Sequence, residues 1–137
     1  MFENEGYRLM GAAFEVYNQI GYGMAEEVYQ QCMEIELGLR NIPYMPQQKL
    51  AMTYKGQTIG KQYVPDLFVF SAVIVELKAV RELELEHEAQ LFNYMRIARQ
   101  PVGYLINFGH KDKLEWKRYI LSDKSPQKQS GVDIVSG

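Results

Sequence analysis

The chain has 137 residues, ordinary apolar content, and a formal net charge of −2 from 17 acidic and 15 basic side chains. That is enough chain for one domain with a real core. It excludes a polycation that holds nucleic acid by overall charge, so any such contact has to come from a local patch. A single cysteine, Cys32, excludes an internal disulfide framework and fits a reducing compartment. No apolar run reaches the roughly 20 residues of a membrane span, and the start Met1-Phe2-Glu3-Asn4-Glu5 lacks the basic residues of a signal peptide. The expectation is a cytoplasmic protein with no membrane partner.

Residues 3–20 are predicted to be helical, with Leu9, Ala13, Val16, Tyr17 and Ile20 on one face at spacings of three and four. Gly21-Tyr22-Gly23 breaks that helix, and Gly21 suits its C-terminal cap. A second helix is predicted over about 24–40, with Val28, Cys32, Ile35 and Leu39 as its stripe and Glu36–Arg40 as a surface pair. Glu26 falls in its first turn, where the helix dipole favours a carboxylate.

Pro43 and Pro46 mark a loop. Leu50, Met52 and Tyr54 alternate with polar neighbours and predict a strand. Lys55-Gly56-Gln57 reads as a hairpin turn. A second strand runs from about 58 to 64, is interrupted by Pro65-Asp66, and continues through Leu67–Phe70. After a turn at Ser71-Ala72, residues 73–80 form a third strand, apolar enough to be buried on both faces. Residues 81–99 predict a third helix, with Leu85, Ala89, Phe92 and Met95–Ala98 on its apolar face and His87, Gln90 and Tyr94 on another. Gln100-Pro101 ends it. Val102–Phe108 is a fourth strand, and 113–121 a fifth, at an edge, carrying Trp116 and Tyr119. One domain then covers 1–121, and 122–137 is expected to be a polar, loosely ordered tail. The class is α/β, in the order α-α-β-β-β-α-β-β, a mixed sheet with helices on its flanks.

The third strand carries two charges in its middle, Glu76 and Lys78, on the same face by alternation. Burying a charge costs several kcal/mol unless it finds a partner. The pair is therefore a structural ion pair or the lining of a wet cleft. With the preceding turn centred near Ser71, Asp66 lies opposite Glu76, and opposed side chains in an antiparallel pair come within about 5 Å. A register slip of one residue would separate them. Two carboxylates with a backbone carbonyl and waters suit Mg²⁺ or Mn²⁺. One cysteine and no His-x-x-x-His spacing disfavour zinc. A lysine beside such a site can orient water or stabilise the transition state of phosphodiester hydrolysis.

Pro65-Asp66 followed by Glu76-Leu77-Lys78 resembles the pattern of the PD-(D/E)XK nuclease superfamily. Three further blocks look like signatures of its GxxExxY protein family: Gly23-Met24-Ala25-Glu26-Glu27-Val28-Tyr29, His87–Tyr94 and Gly103–Gly109. The resemblance runs colinearly over about 5–121. It implies a restriction-endonuclease-like core and a Mg²⁺-dependent nuclease, with Mn²⁺ as substitute and nucleic acid, DNA first, as partner. It also implies roles. Asp66, Glu76 and the Leu77 carbonyl would hold the metal, and Glu26 would add a carboxylate to the metal or its waters. Lys78 would be the catalytic lysine and Gln90 its support or a phosphate contact, with His87 and Tyr94 on the same helical face.

The rival is a catalytically silent nucleic-acid- or protein-binding module on the same fold, favoured by the slightly acidic net charge and by there being no obvious second domain in this sequence to recognise a target. A third reading is metal-assisted phosphoryl chemistry on a nucleotide or a repair intermediate. A nuclease this small is expected to work as a homodimer or in a larger assembly. Tyr29 and Tyr94 read as half-buried packing residues with bonded hydroxyls, and His87 as a surface or packing histidine. Lys111, Lys113, Lys117, Arg118, Lys124 and Lys128 make the C-terminal segment locally basic, fit to touch a phosphate backbone or to be a solvated edge.

Overall fold

The computed structural model describes residues 1–121 and 132–136. In chain order the elements are α1 (Glu3–Ile20), α2 (Glu26–Leu39), β1 (Tyr44–Pro46), β2 (Thr53–Tyr54), β3 (Gln57–Thr58), β4 (Leu67–Val69), β5 (Val73–Lys78), α3 (Leu85–Ala98), β6 (Val102–Asn107), β7 (Glu115–Leu121) and β8 (Val132–Ser136). Six strands make one mixed sheet in the order β1-β4-β5-β6-β7-β8, and β2–β3 stand apart as a two-stranded ribbon. Among the described residues only β5 and β6 pair in parallel, and α3 is the crossover between them, as a parallel pair requires.

Alternation along the central strands divides the core in two. Val73, Val75 and Leu77 of β5 and Val102, Tyr104 and Ile106 of β6 pack against α1 and α2. Ile74 and Leu105 pack on the other face with Leu91, Tyr94 and Met95 of α3. The sheet is thus covered on both faces, which is why β6 is buried along its whole length. Glu76 and Lys78 share the face of Ile74, so both lie on the α3 side.

The α1 stripe holds at Leu9, Ala13 and Val16, while Ile20 stays at the surface. Gly21 caps the helix in the left-handed region (φ 76°), its N–H bonded to the Tyr17 carbonyl, a conformation that suits a residue without Cβ. On α2 the expected stripe is corrected. Ile35 and Leu39 are 62% and 74% exposed, and the buried residues are Tyr29, Gln30, Met33 and Leu37. The large residues Tyr29 and Met33, one turn apart, win the core and rotate the helix by about one residue. The Glu36–Arg40 pair forms as expected, at 2.7 Å. On α3, Leu85 is 81% exposed because the helix starts there, and Leu91 takes the core position.

The strands also differ from the sequence reading. Tyr44–Pro46, expected as loop, pairs with β4, because Pro46 sits on an edge strand where its missing N–H costs nothing. Between 47 and 64 the predicted long strands shrink to a ribbon around a Lys55-Gly56 turn. The fifth predicted strand is not at the edge, since β8 pairs on its outer side. Residues 122–131 and 137 of the expected tail lie outside the described residues. Val132–Ser136 is a strand, as its Val-x-Ile-Val sequence favours.

A buried asparagine joins the ends of the two central strands. Asn107 is 0% exposed. Its Oδ1 accepts from the N–H of Val80 and of Gly109, and its Nδ2 donates to the Val80 carbonyl and to Glu115 Oε1, all at 2.9–3.0 Å. A Cβ on Gly109 would fall 2.4 Å from the Val80 backbone, so only glycine allows this approach. Asn107→Ala orphans buried backbone groups and is expected to cost about 2–4 kcal/mol. Urea unfolding of the variant checks this, and an unchanged midpoint would contradict it.

Candidate active site

The β4–β5 hairpin sets the site. Leu67↔Val75, Phe68↔Ile74 and Val69↔Val73 are partners, which centres the turn on Ser71 and brings Asp66 opposite Glu76. The register expected from sequence is the one found. The Asp66 N–H donates to Glu76 Oε1 at 2.7 Å, and the Leu77 N–H donates to Asp66 Oδ2 at 2.7 Å. Each carboxylate is therefore held by a backbone amide. Asp66 Oδ1 and Glu76 Oε2 accept no hydrogen bond from any described residue.

Lys78 joins them on the same face. Its Nζ lies 4.0 Å from Glu76 Oε2 and donates to Gln90 Oε1 at 2.8 Å. Gln90 passes its own N–H to the Tyr94 hydroxyl at 3.2 Å. Gln90 and Tyr94 stand on one face of α3, four residues apart. Of the predicted α3 trio, His87 is set apart by its partner: its Nδ1 accepts the Glu84 N–H in a capping box at the start of the helix.

Glu26 opens α2, and its side chain is exposed. Its charge raises the pKa of both Asp66 and Glu76, so it stands within electrostatic reach of them. It does not close a three-carboxylate cluster: among the described residues no three His, Cys, Asp or Glu side chains gather as metal ligands. The loop before it is built by Tyr29, whose buried ring stacks on Phe108 with centroids 4.7 Å apart. The Tyr29 hydroxyl donates to the Gly21 carbonyl at 2.5 Å and accepts from the Met24 N–H at 3.2 Å. The Gly23, Glu26, Tyr29 spacing thus has a physical basis: the tyrosine closes the turn from which the glutamate projects.

Sequence reasoning missed two residues. Gln30, nearly buried, donates from Nε2 to the Asp66 carbonyl and to Glu34 Oε2, both at 3.0 Å. The one signal for it was its place a turn beyond Glu26. Gln47 donates its backbone N–H to the same Asp66 carbonyl at 3.1 Å, a contact no side-chain pattern reveals. Of the C-terminal basic residues, Lys117 is paired with Glu88 at 3.0 Å, and Arg118 donates to the Met1 carbonyl. Lys124 and Lys128 lie outside the described residues.

Burial pushes Asp66 up to about 6, despite the Leu77 N–H, and the Glu26 charge adds to the rise. Burial and then the neighbouring Asp66 push Glu76 up to about 8. Two carboxylates at such range resist joint ionisation. The donor set fits a small hard cation: two carboxylate oxygens still free, beside the Leu77 carbonyl of the same strand. This arrangement is a restriction-endonuclease-like α/β fold carrying an Asp…Glu-x-Lys site.

Comparison with known proteins agrees. The family model described as PD-(D/E)XK nuclease superfamily matches residues 3–119, and the chain belongs to that superfamily. A solved structure titled "Crystal structure of SSO0001" superposes with a TM-score of 0.56 at 16% identity, over 85% of this chain and 58% of that one. The chain therefore spans little more than half the length of that structure, and the likeness is one of fold. No curated protein matches the chain.

The raised carboxylates make stability pH-dependent in the absence of metal. Between the ordinary carboxylate range and pH 8 the folded state binds more protons than the unfolded one, so stability falls as pH rises through that window. Glu76→Gln removes most of this slope. The variant should match the parent at pH 5 and exceed it by on the order of a few kcal/mol at pH 8.5 in chelator. Thermal unfolding at the two pH values checks it, and parallel curves would contradict it.

Proposed function

We propose that the protein is a metal-dependent nuclease that hydrolyses phosphodiester bonds of DNA with Mg²⁺, for which Mn²⁺ would substitute. The observation that carries this reading is the convergence of Asp66, Glu76 and Lys78 on one face, each held by a named partner. Asp66, Glu76 and the Leu77 carbonyl would hold the cation, and Glu26 would act on its outer waters. When bound, the cation supplies neutralisation of phosphate charge and a lowered pKa for water.

Lys78 has the chemistry to meet charge that develops on the phosphate. Its ammonium is already aimed by Gln90, so little reorganisation is needed at the moment of reaction. Gln90 is a positioning residue in this reading: it accepts from Lys78 and is itself fixed by Tyr94. Superfamily membership supports the reaction class. The Gly23, Glu26, Tyr29 pattern supports placing the chain in the GxxExxY branch, and a homodimer or larger assembly remains part of the proposal.

Lys78→Ala should lower Mg²⁺-dependent cleavage of plasmid DNA by at least about a hundredfold, and Asp66→Ala should abolish it, both with folded cores by circular dichroism. Gln90→Ala should leave activity between those of parent and Lys78→Ala. A Lys78→Ala protein that cuts as fast as the parent would refute the assignment.

A further inference from the structure

Residues 48–64 form an arm rooted at Asp66. The chain leaves β1 at Gln47, whose N–H bonds to the Asp66 carbonyl, and it returns through Tyr63, Val64 and Pro65 to Asp66 itself. At the base of the arm Leu50 and Tyr63 bridge, with N–H to carbonyl distances of 2.7 and 3.3 Å. Tyr63 packs edge-on against Tyr94, the residue that bonds Gln90. Beyond that base the arm touches little: every residue from 51 to 62 is exposed.

A two-stranded ribbon is marginal by itself, so its composition is informative. No Asp or Glu occurs between Glu36 and Asp66, although acids outnumber bases in the chain as a whole. The arm instead carries Lys49 and Lys61 near its base and Lys55 at its tip. Lys55 lies over the Tyr54 ring at 5.5 Å, and Tyr54 is itself largely exposed. Met52 pairs with Ile59 through the Ile59 N–H, whereas Leu50 pairs with Tyr63. Gly60, Lys61 and Gln62 therefore oppose Ala51 alone, a bulge of the kind that re-aims side chains. Between the arm and α3 lies a cavity of about 320 Å³, with Met52 and Thr53 on one wall and Asn93 and Arg96 on the other.

We propose that this arm is a docking element for duplex DNA, laid into the major groove beside the bond to be cut. A two-stranded ribbon is of the size that groove admits. From base to tip the lysines span roughly 20 Å at strand rise, over which the duplex presents a dense row of phosphates. An acid-free, basic ribbon on an otherwise acidic protein is complementary to that polyanion. The choice of a duplex rests on the nuclease reading, but the binding itself is measurable without turnover.

The test is fluorescence anisotropy in EDTA, with a short labelled DNA duplex and its single strand, for the parent and for Lys49→Gln/Lys55→Gln/Lys61→Gln. All three positions are exposed, and an unchanged melting temperature would establish that the variant is folded. The variant should bind duplex roughly tenfold to a hundredfold more weakly near 0.1 M salt, with the slope of log affinity against log salt reduced by about two to three. Equal affinity and slope would overturn the proposal. So would a parent that binds no duplex, or a loss confined to the single strand. Parallel cleavage assays in Mg²⁺ separate the two readings. Arm-dependent binding without any cleavage would sink the nuclease and keep the arm, whereas cleavage and binding that ignore the arm lysines would do the reverse.

Discussion

The Asp66 amide holds the Glu76 carboxylate, and the Leu77 amide holds the Asp66 carboxylate. This reciprocal exchange exists only while β4 and β5 keep one register, because a slip of a single residue would turn Glu76 and Lys78 to the opposite face. The turn that fixes the register is tight. Phe70 and Ser71 both take left-handed conformations (φ 56°), and the Ala72 N–H closes on the Val69 carbonyl at 3.1 Å. Such conformations cost a non-glycine residue roughly 1–2 kcal/mol. The cost is offset by the strands around it: Leu67, Val69, Val73 and Val75 are almost fully buried, and the Phe70 N–H is anchored on the Pro43 carbonyl. Core packing thus sets where two mutually repelling carboxylates must stand.

Two glutamines bring the helices to that hairpin. Gln30 reaches from α2 to the Asp66 carbonyl, and Gln90 reaches from α3 to Lys78. Neither brings charge, so neither adds to the electrostatic strain of the site. Asn107 and Gly109 hold the exit of β5 against β6, which fixes the backbone just beyond Lys78. Glu76 and Lys78 stand on a strand, and Gln30 and Gln90 on helices. Around them stand the exposed arm between Gln47 and Pro65 and the acidic turn at Glu26. Superfamily membership shows the fold; the chemistry is argued from the site, and the target from those surroundings.

Much of this was legible in the sequence, for reasons that can be named. The Glu76, Lys78 alternation and the turn at Ser71 together defined the site, because period two and a short turn leave few registers. Gly21 and the Lys55-Gly56 turn were legible because their backbone conformations select their residues. The face of α2 was not, since Ile35 and Leu39 are as apolar as the residues that replace them in the core, and only tertiary packing decides; on α3 Phe92, Met95 and Ala98 pack in the core as expected and Leu85 does not. β1 was hidden by Pro43 before it and Pro46 within it, and β8 by the polar run of sequence that precedes it. Gln30, Gln47 and Asn107 act through backbone atoms or as buried amides, and a lone sequence carries no pattern for that.

Calorimetric titration of Mn²⁺ at pH 8 into the parent and into Asp66→Ala, each with and without a DNA duplex carrying an uncleavable linkage, tests the central claim most directly. The account predicts a saturable heat in the parent, strengthened by DNA, that disappears in the variant. No heat from the parent even with DNA, or equal heat from both proteins, would contradict a metal site built on Asp66 and Glu76.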